Sequence, residues 1–203
     1  MGKICFCFFI FLVSTFYGQL PGDTEQVKIN YSMEYIKVPI KMKIFKKHLP
    51  KEIIQYYTRT GSRNEVHLKT KFMNKNIQNS TISVTNEPLL KSWTKIKTKI
   101  NDSIVQSEFI EEDLLENNKA VFLGQETKLI NGYNCVEFIL EDDSIKIEGF
   151  LAPDISISGD FRNYGLPLEF KTSSKKEKFI FQTYCKEIII EPLDSSLYIL
   201  NEN

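Results

Sequence analysis

Hydrophobic and polar residues alternate along most of this chain. The clearest run has apolar side chains at every second position, at Val27, Ile29, Tyr31, Met33 and Tyr35. A period of two is the side-chain repeat of a strand that has one covered and one solvated face. The same pattern predicts strands at Ile53–Thr60, Glu65–Phe72, Ser92–Ile100, Ile104–Ile110, Tyr133–Leu140, Ile145–Leu151 and Lys178–Ile190.

Short turn-forming segments separate several of the predicted strands. They are Gly61-Ser62, Asn101-Asp102, Asn131-Gly132, Glu141-Asp142-Asp143 and Thr172-Ser173-Ser174. The Asn-Gly pair is the strongest of these signals, because both residues tolerate the positive φ of a tight hairpin. Strands joined by such short turns predict a mainly β fold built from antiparallel meanders.

Helical signals are sparse. Glu111–Asn117 is predicted to form a short acidic turn of helix, and Ser195–Tyr198 a second one with Asp194 as its N-cap. Lys46–Gln55 is ambiguous, since Pro50 suits either the first turn of a helix or an edge strand. A loop that leads into a strand is the favoured interpretation there.

The chain begins with the features of an export signal. Lys3 precedes the apolar run Ile4–Phe16. This run is about 13 residues long, too short for the roughly 20 residues that a membrane-spanning helix needs. We therefore expect residues 1–18 to be a signal peptide, residues 19–26 a flexible tail and residues 27–203 a single β-rich domain. The expected location is periplasmic or secreted, without a stable membrane anchor.

The charge balance argues against a general polyanion binder. The sequence has 26 basic and 26 acidic residues, and loss of Lys3 with the signal peptide leaves 25 against 26, a net charge near −1. Nucleic acid is therefore not an expected partner.

Two cysteines follow the predicted cleavage point, Cys135 and Cys185, each in an apolar and β-branched stretch. In an oxidising compartment they form a candidate disulfide. Two buried, unpaired thiols are an equally open alternative, because pairing depends on a Cα separation that the sequence does not give. The Cys-x-x-Cys spacing of a redox-active pair is absent.

The residues that carry most enzyme chemistry show no recognisable catalytic pattern. His48 and His67 lack the neighbouring groups of a nucleophilic triad. The acidic clusters at 111–113 and 141–143 lack the alternating oxygen ligands and central glycine of an EF-hand. No clustered cysteine or HExxH pattern offers a zinc site. We therefore expect a protein that is not an enzyme, with no catalytic residue, no metal and no cofactor.

One predicted strand places four lysines on the same face as the only tryptophan. This lysine stripe consists of Lys91, Trp93, Lys95, Lys97 and Lys99. An anionic headgroup or polyanion could lie along it, with the tryptophan at its edge. The plainer alternative is an edge or outer strand that lysine keeps soluble and unpaired.

Aromatic side chains are the other candidates for a ligand-binding surface. The candidate ligand-binding residues are Trp93, Phe122, Phe138, Phe150, Phe170 and Phe181. Large rings mostly fill the core, because they bury the most surface per residue. A surplus of rings on a concave sheet would instead form a ligand groove.

Four motifs occur in order in the C-terminal half of the chain. They are Thr127–Cys135, which contains a Gly-Tyr-Asn-Cys hairpin, Gly149–Ile155, Tyr164–Phe170, which contains a Gly-Leu-Pro motif, and Asp194–Tyr198. Their order resembles a family of small exported proteins of unknown function from gram-negative bacteria. Relatives of that family include the GLPGLI-type proteins and, more remotely, the LolA-like lipoprotein carriers. The resemblance covers residues 120–200.

This resemblance implies a single, strongly curved antiparallel sheet, an open half-barrel with one or two short helices. Carriers of that type hold acyl chains against the concave face. The expected function is therefore non-catalytic binding of an apolar or amphipathic ligand, such as a lipid. The alternative is an envelope interaction module that has a filled core and presents a sheet edge or an aromatic face to a protein partner.

The Gly-Leu-Pro motif also has a local physical interpretation. Gly165 is expected to supply an unusual backbone angle, while Pro167 fixes φ and removes a hydrogen-bond donor from the sheet. The motif then reverses the chain into the strand at Leu168–Lys171.

Overall fold

The computed structural model describes residues 24–72, 74–114 and 121–200. Within these ranges the chain forms eleven strands and two short 3₁₀ helices. In chain order they are β1 (Glu25–Lys37), η1 (Ile40–His48), β2 (Glu52–Tyr57), β3 (Gly61–Phe72), β4 (Lys75–Asn86), β5 (Lys91–Ile100), β6 (Ser103–Asp113), β7 (Val121–Ile130), β8 (Tyr133–Glu141), β9 (Ile145–Ala152), β10 (Leu166–Ser174), β11 (Ile180–Pro192) and η2 (Ser195–Tyr198). The predicted signal peptide lies outside the described residues.

The strands form one open antiparallel sheet in the order β6-β5-β4-β3-β2-β1-β11-β10-β9-β8-β7. Strands that are consecutive in the chain pair with each other, except that β1 also pairs with β11 at the centre. We call β2–β6 the N-terminal wing and β7–β11 the C-terminal wing. The predicted mainly β fold with a single, open antiparallel sheet and short helices is confirmed.

The covalent chain requires this sheet to be curved. The edge strands β6 and β7 follow each other in sequence, yet nine other strands lie between them in the sheet. In a flat sheet with strands about 4.8 Å apart, the two edges would be roughly 48 Å from each other. The chain from Asp113 to Val121 can span at most about 29 Å. The sheet edges must therefore bend toward each other, as in a half-barrel.

The apolar core lies on one face of the sheet. We call the face that carries Val27, Ile29 and Tyr31 the inner face, and the opposite face the outer face. These three residues are buried together with the following residues from other elements: Cys135, Ala152, Ile155, Ile157, Leu166, Leu168 and Cys185. A second buried cluster, Val121, Phe138, Leu140 and Leu151, continues the core across the C-terminal wing.

Two predicted hairpin turns have the expected backbone. Asn131 and Gly132 have φ of 51° and 85°, and Asn101 and Asp102 have φ of 46° and 68°. Two successive positive φ values are typical of the tight turn whose twist matches a β-hairpin. The Asn101 side chain adds a bond, because its Oδ1 accepts from the backbone N–H of Asn76 at 2.9 Å.

The Gly-Leu-Pro motif begins β10 as predicted, two residues earlier than the expected strand start. Gly165 has a φ of 125°, and a Cβ at this position would lie 2.3 Å from the carbonyl oxygen of Ala152. Only glycine fits such an approach. Pro167 lies opposite Leu151, next to a bulge. Its carbonyl oxygen accepts a hydrogen bond from the Tyr31 hydroxyl, with 2.6 Å between the two oxygens. The motif is therefore a structural element of the core.

Several predicted boundaries are wrong. Glu111–Asp113 belongs to β6 and is not helical, whereas residues 115–120 lie outside the described chain. Lys46–Gln55, predicted as a loop that leads into a strand, does lead into β2 at Glu52, but its first residues belong to η1, which already starts at Ile40. Thr172-Ser173-Ser174 continues β10 rather than turning, because Thr172 and Ser173 pair with Phe181 and Ile180.

Other elements begin where the sequence pattern gave little signal. β1 starts at Glu25, so the predicted tail is shorter than residues 19–26, and Gln26 is buried with a hydrogen bond to Glu191. The strands β4 and β7 were not predicted, and Gly61-Ser62 opens β3 instead of forming a turn. The second short helix, Ser195–Tyr198, is confirmed, and the Asp194 side chain accepts from the backbone N–H of Ser196 at 3.0 Å.

Candidate ligand surface on the inner face

The inner face of the C-terminal wing is filled by its own side chains. Phe138, Leu140, Leu151, Leu166 and Leu168 have no exposed surface. Phe138 and Leu140 are two apart on β8, and Leu166 and Leu168 are two apart on β10, the spacing of residues that share one face of a strand. These buried side chains cover much of the inner face of this wing.

The connection between β9 and β10 covers this apolar surface. This β9–β10 loop, residues 153–165, inserts Ile155 and Ile157 into the core cluster. The ring of Phe161 in the same loop stands edge-on to Phe138, with the ring centres 5.1 Å apart. Such an edge-to-face pair adds to the area that the two rings bury. The loop therefore acts as the lid of the C-terminal core.

The same loop is tied to the start of the N-terminal wing. The Ser158 hydroxyl donates to the carbonyl of Gly61 at 2.7 Å. Glu87, in the turn after β4, accepts the backbone N–H of Gly159 and forms an ion pair with Arg162. These contacts attach the loop to the first residue of β3 and to the turn after β4. They do not place it over the rest of the N-terminal wing.

The inner face of the N-terminal wing has a different character. The strand register places Gln55, Asn64, Ser83 and Thr94 side by side across β2, β3, β4 and β5. Ser83 and Thr94 share a hydrogen bond at 2.9 Å, and the Tyr57 hydroxyl donates to Gln55 Oε1 at 3.0 Å. These side chains can hydrogen bond but carry no charge.

Apolar side chains flank this polar row. They lie at alternate positions of the same strands and are Ile53, Val66, Leu68, Ile77, Ile96 and Ile100. The inner-face residues of β2, of β3 as far as Thr70, and of β4 and β5 are half-buried, apart from Lys75, which is exposed. The surface is therefore amphipathic and accessible, in contrast to the filled C-terminal wing.

Two amides on this surface have an unused polar atom. Among the described residues, Asn64 Oδ1 and Asn79 Oδ1 are buried but have no hydrogen-bond partner. On the inner face of β11, Thr183 Oγ1 is also buried without a hydrogen-bond partner among the described residues. A buried polar atom without a partner costs free energy, so native proteins usually satisfy it. These atoms are suited to bind a hydrogen-bonding ligand group.

Ionisable groups at the wing boundary are kept neutral. Burial raises the pKa of Tyr31 far above its usual range, with smaller contributions from Tyr57 and Cys185. Burial and the charge of Asp160 likewise raise the pKa of Tyr57. Both hydroxyls therefore remain hydrogen-bond donors at neutral pH.

The six predicted ligand-binding aromatics do not form one surface. Phe138 is fully buried, and Phe150 and Phe170 pack against the core beside it. Phe181 packs with Tyr35 and Phe179. The remaining two, Trp93 and Phe122, lie on the outer face of β5 and on the exposed edge strand β7. The rings therefore mainly support the fold.

The polar row was missed because the sequence signal points to the other face of the strand. Along β4, the inner-face residues Thr81, Ser83 and Thr85 alternate with the apolar Ile82 and Val84 of the outer face. A period of two indicates which residues share a face, and the apolar face is the one expected to be covered. The sequence alone does not show that the polar face lies on the concave side of the sheet.

The two candidate disulfide cysteines are free, buried thiols. Burial raises the pKa of Cys135 to about 11 and also raises the pKa of Cys185. Their environment is the apolar core, which stabilises a neutral thiol over the reactive thiolate. Of the two alternatives left open by the sequence, the structure has the unpaired one.

The lysine stripe lies on the outer face of β5, one strand in from the sheet edge. Trp93 Nε1 donates to Glu111 Oε2 at 3.1 Å, and Lys91 forms an ion pair with the same carboxylate. Lys97 and Lys99 line a shallow depression of about 440 Å³ together with His67 and Lys69. This end of the stripe carries the positive charge.

The two histidines bind nearby side chains. His48 Nδ1 shares a hydrogen bond with the Thr70 hydroxyl, and His67 contacts Ser80 and Glu65 at 3.1 Å each. Across residues 24–72, 74–114 and 121–200, no group of three or more His, Cys, Asp or Glu side chains could hold a metal ion. None of the described helices is long and apolar enough to span a bilayer.

Known proteins resemble this chain in structure alone. No family model and no curated protein matches it. Two structures of PNGF-II, in space groups C2 and P21, superpose with TM-scores of 0.50 and 0.51 at 14% sequence identity and cover 86% and 87% of this chain. This chain spans only 29% and 30% of the length of those structures. The likeness shows the fold and nothing further.

A third structure has a lower score. It is the beta-barrel-like protein of the domain of unknown function DUF1849 from Brucella abortus, which matches at a TM-score of 0.48 and 8% identity. The superposition covers 84% of this chain and 99% of that one, but the score is too low to support an inference. The resemblance to GLPGLI-type and LolA-like proteins stays a prediction.

Proposed function

We propose that this chain is a non-catalytic binding protein that holds an amphipathic ligand on the inner face of its N-terminal wing. The ligand's apolar part lies against Val66, Leu68 and Ile96, and its polar part against the amides and hydroxyls beside them. The location that fits this role is the periplasm or the cell exterior, as the N-terminal sequence predicts.

One observation carries the proposal. Most described side chains on the inner face of β2–β5 are half-buried rather than buried, and this face carries the buried, unpartnered Asn64 Oδ1 and Asn79 Oδ1. A ligand that places hydrogen-bonding atoms on these amides and apolar surface on the flanking isoleucines would satisfy both. A purely apolar ligand would leave the amides unsatisfied, so an amphipathic one fits better.

A matched pair of substitutions tests the site. Ile96 and Ile82 are half-buried on the neighbouring strands β5 and β4, but Ile96 faces inward and Ile82 outward. We expect the protein to bind a fluorescent fatty acid, and Ile96→Asn to weaken binding about tenfold through lost apolar contact. Ile82→Asn should leave the affinity within about twofold. Equal affinity of both variants and the native chain, or no binding at all, would contradict the proposal.

A second candidate function rests on the edge strand β7. Phe122, Leu123 and Leu129 on this strand are each more than half exposed. An edge strand with exposed apolar side chains is a template for a partner strand. This alternative predicts that the chain self-associates through β7 and that Leu129→Lys dissolves the dimer in sedimentation velocity. A monomer that binds the fatty acid favours the first function.

A further inference from the structure

A basic and apolar segment projects from the end of β1. This basic cap, Lys37–Lys51, contains no acidic residue, and its six lysines are Lys37, Lys41, Lys43, Lys46, Lys47 and Lys51. Within the described chain, Lys41, Lys43, Lys46 and Lys47 form no ion pair. The whole chain has no net charge, so this segment is a local concentration of positive charge.

The helix η1 exposes apolar groups among these lysines. Ile40 is 83% and Ile44 75% exposed. In a 3₁₀ helix side chains three apart are aligned, so Ile40, Lys43 and Lys46 form one ridge. The next ridge consists of Lys41, Ile44 and Lys47. A hydrogen bond between His48 and Thr70 joins the end of the helix to β3, so the two ridges are held in place.

A groove runs along the base of the helix. Its volume is about 880 Å³, and its lining includes the apolar Ile36, Val38 and Pro39 together with Glu177 and Lys178 from the turn before β11. Ile36 is also more than half exposed. The groove and the two ridges thus form one surface of apolar groups on which lysines outnumber the single acidic residue, Glu177.

We propose that the basic cap docks on the surface of an anionic phospholipid bilayer. The lysines contact the headgroups, and Ile40 and Ile44 enter the boundary with the acyl chains. Peripheral segments bind bilayers by combining buried apolar area with attraction to anionic lipids. Charge complementarity favours this occupant, because a neutral protein partner would leave the ammonium groups of Lys41, Lys43, Lys46 and Lys47 unpaired at the contact.

The outer face of β3 and β5 differs from the basic cap and provides a control. Lys69 and Lys71 of β3 lie on this face with Lys97 and Lys99 of the lysine stripe, and the large ring of the stripe, Trp93, is bonded to Glu111. These four lysines therefore supply charge without the exposed isoleucines of the cap. Docking at the cap requires nothing of the inner face, so it is independent of the proposed ligand binding.

Co-sedimentation with vesicles tests this inference on the full chain. One set of vesicles contains phosphatidylcholine mixed with the anionic phosphatidylglycerol, and the other contains only phosphatidylcholine. We expect binding to the anionic vesicles that weakens at high salt, because surface charges are screened. Replacing Lys41, Lys43, Lys46 and Lys47 by Gln should weaken it by on the order of 100-fold.

Two further variants separate the contributions. Ile40→Ser with Ile44→Ser should weaken binding to anionic vesicles by about tenfold or more while leaving the charge unchanged. Replacing Lys69, Lys71, Lys97 and Lys99 by Gln removes the same charge from the outer face and should change binding less than about threefold. Equal loss in this control, unchanged binding of the cap variants, or equal binding to both vesicle types would overturn the assignment.

Discussion

The two wings of this sheet are covered on opposite faces. In the C-terminal wing, the β9–β10 loop closes the inner face over Phe138 and Leu151. In the N-terminal wing the described buried side chains, Tyr56, Arg63 and Val84, lie on the outer face. Both wings are antiparallel meanders of long strands, so the strand pattern alone does not determine which face is buried. The buried face is the one that another segment covers, the β9–β10 loop in one wing and the C-terminal segment with η2 in the other.

The cover of the N-terminal wing comes from the end of the chain. Arg63 donates to the carbonyl of Leu197 in η2, and the Tyr198 hydroxyl donates to Gln26 Oε1 at 3.3 Å. Burial raises the pKa of Tyr198, in keeping with a ring held against the sheet. Because this wing is stabilised from its outer face, its inner face can stay open without loss of the fold.

The largest effect is expected from a cavity in the filled wing. Phe138→Ala should lower the free energy of unfolding by about 3–5 kcal/mol, because the side chain is fully buried. Ile96→Ala, on the open wing, should cost only about 1 kcal/mol, since Ile96 is only half-buried. Urea unfolding followed by circular dichroism measures both. Similar costs would show that the two inner faces are packed alike.

A smaller effect is expected from the bond that joins the centre of the sheet to the covered wing. The Tyr31 hydroxyl is buried and donates to Pro167 at 2.6 Å. Tyr31→Phe leaves that carbonyl unsatisfied and should cost about 1–2 kcal/mol. The control Tyr198→Phe removes a longer, partly exposed bond and should cost less than about 0.5 kcal/mol. A reversed order would mean that η2, and not the inner core, limits stability.

The smallest effect concerns pH and the outer face. Burial tends to raise the pKa of Glu65, but hydrogen bonds and charge from Arg63 and His67 outweigh it and lower the pKa. A carboxyl group with a lowered pKa stabilises the fold above its unfolded value of about 4.3. That contribution, less than about 1 kcal/mol for a partly exposed pair, is lost as pH falls through the folded pKa.

Acid titration of stability checks this contribution. Between pH 6 and 3 the native chain should lose more stability than Glu65→Gln, which has no carboxylate to protonate. The control Glu177→Gln, in an exposed turn, should follow the native curve. If Glu65→Gln loses as much stability as the native chain over this pH range, Glu65 does not help to stabilise the N-terminal wing.

Sequence reasoning predicted the architecture better than the site. The alternation around Val27 and the Asn131-Gly132 turn depend on local physics, and both predict the sheet correctly. The loop that buries Ile155 and Ile157 could not be foreseen, because its contacts join residues distant in sequence. The same holds for the pairing of β1 with β11, which brings Tyr31 opposite Cys185.

The aromatic residues illustrate what the sequence leaves undecided about a binding site. The sequence does not distinguish a phenylalanine that fills a core, such as Phe138, from one that is exposed on an edge strand, such as Phe122. Which of these occurs depends on coverage by other segments. Conversely, Asn64 and Asn79 look like ordinary polar strand residues, and only the register of β3 with β4 shows that both face inward.

The most direct test compares thiol reactivity on the two wings. Thr98→Cys places a thiol on the open inner face of β5, while Cys135 and Cys185 report on the covered wing. Alkylation at pH 8, with peptide mass spectrometry to resolve each site, should modify the introduced thiol at least about tenfold faster than the two buried ones. Added fatty acid should slow only the introduced thiol. If all three thiols react at the same slow rate, the N-terminal wing is as closed as its neighbour and the account is contradicted.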